Sequence, residues 1–213
     1  RPNDVGARFI EKTAPSLEAQ LCNLADEIAY NAHDVDDGVR SGLIDFEQLQ
    51  AVPLIAEHAE AACRAHPGLS GRRLLAETIR RMLTAQVYDV MRHTQSQINA
   101  AGVETVADVR AHGRDLVGFT PDMRAASTAL KQFLFANLYR HPQVSEKTTI
   151  ARQVVVDLFH AYRDDPRAMD TTAPAASSST RTIADYIAGM TDRFAIREHA
   201  RLTGQQVFEL ALS

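Results

Sequence analysis

The sequence predicts an all-α fold, a bundle-like assembly of helices, and three observations carry that expectation. Trp is absent and only eight Phe and five Tyr occur among 213 residues, so the core must be filled by Leu, Ile, Val, Ala and Met, which suit helix-on-helix packing. Apolar residues recur every three or four positions over long stretches. Breaks such as Pro15-Ser16, Pro67-Gly68 and His141-Pro142 bracket those stretches.

Taken in order, residues 1–14 read as irregular, and Pro15 with Ser16 then starts a first helix that Gly38 and Gly42 close. Residues 45–66 read as one or two short helices ending at Pro67-Gly68. Leu75, Ile79, Met82, Leu83, Val87 and Val90 mark a long amphipathic helix over about 70–99. Gly102, Gly113 and Gly118 interrupt a connecting region that has room for a brief extended stretch. Helical spacing returns at Met123, Ala126, Leu130, Phe133, Leu134 and Leu138, and again at Ile150, Val154, Leu158 and Tyr162, two helices expected to pack antiparallel. Residues 170–180 are low in complexity and read as a surface loop, and residues 182–198 form the last helix. The chain is thus expected to be a single helical unit over 1–213 with a flexible loop at about 165–180.

Composition narrows the function. A formal charge of -4 argues against a generalised nucleic-acid-binding surface. Cys22 and Cys63 lie in Ala/Leu-rich helical patterns and read as buried free thiols, with no Cys-x-x-Cys or Cys/His cluster for zinc. No membrane-spanning or secretory segment is visible, and a reducing cytoplasm fits that pattern. Gly-rich phosphate loops, dinucleotide fingerprints and Gly-x-Ser-x-Gly elbows are also missing, which disfavours the usual nucleotide folds and other hydrolase classes.

The first helix carries the strongest candidate site. Asp26, Tyr30, Asp34 and Asp37 stand at i, i+4, i+8 and i+11 and so share one face, with Leu17, Leu21, Leu24 and Ile28 about half a turn away. A solvated helix side accounts for such a stripe equally simply. Against that, these carboxylates have no basic partner along the chain until Arg40, and their repulsion would be relieved by a divalent cation or a hydrogen-bonded ligand.

At these residues the chain resembles the HD-domain deoxynucleoside triphosphate triphosphohydrolases, the dGTPase-like proteins. The similar stretches are Ser16-Leu-Glu-Ala-Gln-Leu, then Ala25-Asp26-Glu27-Ile28-Ala29-Tyr30 and His33-Asp34-Val35-Asp36-Asp37-Gly38, and near the end Asp185-Tyr186-Ile187-Ala188-Gly189-Met190-Thr191-Asp192-Arg193-Phe194 with Ala195 to His199. Leu138-Tyr139-Arg140-His141-Pro142 also reads like the C-terminal half of that family. The resemblance implies the C-terminal portion of an HD-domain phosphohydrolase fold. It implies that Asp26 is the last protein ligand of a divalent metal such as Mg²⁺ or Mn²⁺, completing a His…His-Asp…Asp set. Tyr30 and Asp34 would line the pocket, Asp34 accepting a hydrogen bond from the deoxyribose 3′-hydroxyl. Implied partners are deoxynucleoside triphosphates, further copies in a homo-oligomer, and a regulatory nucleotide or single-stranded DNA.

The upstream His…His-Asp is missing from these 213 residues, since His33-Asp34 follows Asp26 on the same helix. The sequence opens Arg1-Pro2-Asn3-Asp4 without Met, so a truncated polypeptide is expected, one that alone neither holds the metal tightly nor hydrolyses nucleotides. Among cations for a triphosphate, Arg73 in the Arg72-Arg73 and Arg80-Arg81 pairs is the first choice, with Lys131 and Arg140 behind it and a solvated surface as the alternative for each. Tyr186 is a candidate substrate contact, and a structural role fits it too. Asn31 and His33 flank the site helix as second partners or as exposed polar residues. Two other functions compete with the hydrolase: a non-catalytic helical module binding a nucleotide or partner, and an HD phosphohydrolase acting on another phosphoester.

Overall fold

A computed structural model describes residue 10 and residues 14–169 and 179–207. Among them are nine α-helices and no strand. The contacts group the chain into two compact units, residues 1–141 and 142–213. The sequence reading drew no boundary there, although the break falls at His141-Pro142. No helix among the described residues is long and apolar enough to cross a membrane.

The first unit contains α1 (Leu17–Arg40), α2 (Phe46–Leu49), α3 (Pro53–Ala65), α4 (Gly71–Ala101), α5 (Val106–Ala111) and α6 (Pro121–Leu134), the last running into a single π-helical turn over Phe135–Tyr139. Its main core joins Val35, Ile44, Leu49, Ile55, Met82, Leu130 and Leu134, and a smaller one joins Leu24, Ile28, Val90 and Phe119. Both cores use the inner face of α1, so the opposite face of that helix is left for the acidic stripe. Leu21, expected on the packed face, is 49% exposed. Cys22 and Cys63, expected to be buried, are exposed free thiols, because each falls on the solvent side of its helix.

Polar ties fix the ends of these helices. Gln20 is buried; its Nε2 donates to the Pro15 carbonyl (3.0 Å), and its Oε1 accepts from the Leu116 and Val117 amides (2.8 and 3.1 Å). One side chain thus ties the irregular connection before α6 to the start of α1. The connecting region contains α5 and no extended strand. Asp89, buried on α4, accepts from the Thr120 amide and hydroxyl (2.8 Å each), and the Thr120 hydroxyl caps α6 by accepting from the Met123 amide. Gly38 does not close α1 as expected. It lies buried inside the helix, where a Cβ would come within 2.9 Å of Ile44 Cδ1, and the close approach of Ile44 explains the glycine. The stop comes at Gly42, whose φ of +71° is left-handed.

The second unit holds α7 (Pro142–Asp164), a 3₁₀ turn (Pro166–Ala168), α8 (Thr180–Ala188) and α9 (Asp192–Thr203). Val154, Leu158, Tyr162, Met169 and Ile183 form its core, and His199, 1% exposed at its side chain, meets Asp157 through Nε2 at 3.0 Å. The single helix expected over 182–198 is two helices. Gly189 ends α8, and the Thr191 hydroxyl starts α9 by accepting from the Phe194 amide. The two helices expected to pack antiparallel fall in different units. The irregular segment expected over 1–14 lies almost wholly outside the described residues, and so does the loop at about 165–180 apart from its two ends.

Gln20→Ala would leave the buried Leu116 amide and the half-buried Val117 amide without their acceptor, and the Pro15 carbonyl without its donor. The variant is expected to lose about 2–4 kcal/mol of stability, read from the midpoint of urea unfolding.

Candidate functional site

The outer face of α1 is paired by α6 and its π-helical turn. Asp26 and Tyr30 are exposed, Tyr30 at 69%, and Asp34 is half-buried. Across from them Arg124 Nη1 reaches Glu27 Oε1 at 2.9 Å, Lys131 Nζ stands 3.4 Å from Glu27 Oε2, and the Tyr139 hydroxyl donates to Asp34 Oδ2. Glu27 therefore finds its basic partners on another helix, and Asp34 finds a phenol. Asp36 pairs with Arg40 one turn on, at 3.4 Å.

Between the two walls lies a cavity of about 630 Å³, a volume suited to a small molecule. Asp26, Tyr30, Asn31 and Asp34 face it from α1, and Lys131, Gln132, Phe135 and Tyr139 from α6 and its turn. Its chemistry is divided. Carboxylates of Asp26, Glu27 and Asp34 supply acceptors and negative charge, Lys131 supplies a half-exposed ammonium, and the aromatic rings supply flat apolar surface. The Asp34 carboxylate, by accepting the phenol's hydrogen bond, pushes Tyr139 up to about 12. Asn31 is 5% exposed and its Nδ2 has no hydrogen-bond partner among the described residues.

The π-helical turn explains how two aromatic rings reach one cavity. Its wider winding keeps Phe135 and Tyr139 on the side of Lys131, and the Arg140 guanidinium lies over the Phe135 ring at 4.5 Å. Arg140 is thereby engaged with Phe135. Arg73 is an exposed residue at the start of α4 and is not among the residues lining this cavity; Arg72 borders a separate depression with Arg40. Arg80 and Arg81 both bond Glu77, at 2.7 Å, and hold its carboxyl down at about 2. Tyr186 belongs to the second unit, edge-on to Tyr162 with ring centroids 5.4 Å apart. His33 is exposed.

Among the described residues no group of three or more His, Cys, Asp or Glu is arranged to hold a metal ion. Asp26 is one carboxylate where a cation needs several ligands. The sequence reading did not single out Gln132, Phe135 or Tyr139 as site residues. The signal was there in Lys131, Phe135 and Tyr139 at i, i+4 and i+8, a stripe matching the one on α1.

Because the neutral phenol is the form that bonds Asp34, the contact supports the fold below pH 10 and is lost as pH rises through about 12. In an ultraviolet titration, Tyr139→Phe is expected to remove a tyrosine that ionises late, near pH 12.

Known proteins resemble this chain. A family model described as the phosphohydrolase-associated domain matches residues 117–201. A deoxyguanosinetriphosphate triphosphohydrolase-like protein of Azoarcus sp. (strain BH72) is 51% identical over 95% of this chain and 55% of its own length. Proteins of the same name from Ralstonia nicotianae and Thiobacillus denitrificans are 49% and 48% identical, over 96% and 93% of this chain and 53% of each relative. The chain spans about half the length of the curated relatives it matches. Over nearly its whole length the chain is thus similar to deoxyguanosinetriphosphate triphosphohydrolase-like proteins, and it corresponds to a C-terminal part of them.

Proposed function

We propose that this chain forms one wall of the active site of a deoxynucleoside triphosphate triphosphohydrolase, which converts a dNTP and water to a deoxynucleoside and tripolyphosphate. The observation that carries the reading is the cavity joining Asp26, Tyr30 and Asp34 to Lys131 and Tyr139. The names of the relatives supply the reaction class.

In this reading the residues divide the nucleotide between them. Asp34, already oriented by the Tyr139 hydroxyl through one oxygen, accepts a hydrogen bond from the deoxyribose 3′-hydroxyl. Tyr30, largely exposed at the cavity mouth, covers the sugar and the start of the phosphate chain. Lys131 offers its ammonium to a phosphate oxygen in exchange for its 3.4 Å contact with Glu27, which retains Arg124. Asp26 contributes one carboxylate to a divalent-cation site whose other ligands come from the part of the protein that this chain does not span. A divalent ion held there would supply Lewis-acid charge to the phosphates. Water adds to the α-phosphorus, the bond from that phosphorus to the 5′-oxygen breaks, and the 5′-oxygen leaves with a proton as the nucleoside hydroxyl.

The test is turnover of each dNTP with Mn²⁺ by the longer polypeptide that carries this chain, with tripolyphosphate detected as product. The longer polypeptide is expected to release tripolyphosphate and this chain alone to release none. Asp26→Asn should lower kcat/KM on the order of a hundredfold through weaker metal binding. Asp34→Ala should raise KM about tenfold for deoxynucleotides. No tripolyphosphate from the longer polypeptide with any dNTP would overturn the reading.

A further inference from the structure

Leu21 and Val87 fall in apolar series that helical spacing assigns to the packed faces of α1 and α4, yet they are 49% and 46% exposed. Met91, one turn beyond Val87, is 59% exposed. A groove of about 330 Å³ lies where the two helices meet, lined by Leu17 and Leu21 from α1, Met91 and Ile98 from α4, and Val117 from the connection before α6. Exposed apolar side chains scattered singly need no explanation, but gathered around one groove they mark a surface that another element covers.

The charges of α4 agree. Residues 71–81 hold Arg72, Arg73, Glu77, Arg80 and Arg81, whereas the Asp, Glu, Lys and Arg of residues 82–101 are Asp89 and Arg92 alone, and Asp89 is buried against Thr120. A helix side that faces water ordinarily carries charges, so the second part of α4 is suited to being covered. On α1, Ala25 and Ala29 follow Leu21 at i+4 and i+8 and are exposed, as is Cys22 beside them, and they continue the apolar face across the helix.

Chain connectivity points to the occupant. This chain spans about half the length of its relatives and corresponds to a C-terminal part of them, so a polypeptide of their length has a further stretch upstream. That stretch reaches α1 through residues 1–16, and Leu17, the first residue of α1, itself lines the groove. A segment tethered at the edge of a groove meets it at a high effective concentration, an advantage that a second copy or a separate partner lacks.

We propose that the apolar face of Leu21, Cys22, Val87 and Met91 is the docking surface for the segment of the longer polypeptide that precedes residue 1. The contact is separate from the reaction proposed above, since Leu21 and Tyr30, nine residues apart, stand on opposite sides of α1.

The experiment uses the longer polypeptide with no residue of this face mutated. Cys22 is labelled with a maleimide in native buffer and in guanidinium chloride, its labelling followed by peptide mass, and it is expected to react about a hundredfold more slowly in native buffer. In parallel, protein grown with photo-methionine is irradiated, and cross-links from position 91 are expected to reach peptides upstream of residue 1. Cys22 labelled as fast in native buffer as in guanidinium chloride would overturn the proposal. So would cross-links from position 91 that reach only residues 1–213, whether of the same copy or of a second one. Tripolyphosphate release is measured separately, and its absence would remove the hydrolase reading without touching this one.

Discussion

Asp89, in the interior of α4, commits both carboxylate oxygens to Thr120, one to its amide and one to its hydroxyl. Thr120 is the residue before α6, and its hydroxyl also caps that helix. The starting point of α6 is therefore set by a buried charge-assisted clamp on the longest helix of the unit. From that start, apolar packing of Leu130 and Leu134 fixes the roll of α6, and Lys131, Phe135 and Tyr139 arrive opposite α1. Loss of the clamp would let α6 slide, and every contact across the cavity would change at once.

The two walls are balanced electrostatically as well as sterically. Glu27 is held by Arg124 and Lys131, while the Arg124 guanidinium also lies over the Phe119 ring at 4.9 Å. That leaves Arg124 fixed by packing on one side and by a carboxylate on the other. Lys131 has a longer and more exposed contact, so it is the cation of the pair that is free to exchange partners. The cavity thus carries one settled ion pair and one adaptable one, an arrangement that suits a charged ligand entering an acidic cleft.

What could be read in the sequence was the local part of this arrangement. Asp26, Tyr30 and Asp34 share a face because of helical periodicity alone, and a helix is determined by near neighbours. The contacts from α1 to α6 and its π-helical turn join residues about a hundred positions apart, as with Glu27 and Arg124, and no short-range spacing encodes that pairing. Gly38 was misread for the same reason. Its role is set by Ile44 and Leu138, which approach it only in the folded chain, so a glycine that looked like a stop is an accommodation inside a continuous helix. Cys22 and Cys63 sit in apolar surroundings along the chain and on the solvent side in space, since composition does not fix the roll of a helix. The break at Gly189 and Thr191 was legible in principle, a small residue followed by a capping hydroxyl, and was hidden by the regular charge pattern around it.

The single π-helical turn over Phe135–Tyr139 has one residue more than an α-turn would accommodate. A further residue inserted between Lys131 and Tyr139 would find that slack already used and would rotate everything after it by about 100° about the helix axis. The phenol of Tyr139 would then swing off Asp34 even though every original residue kept its identity. The count of residues in this stretch is therefore a heritable property of the cavity in its own right, apart from the identity of its side chains.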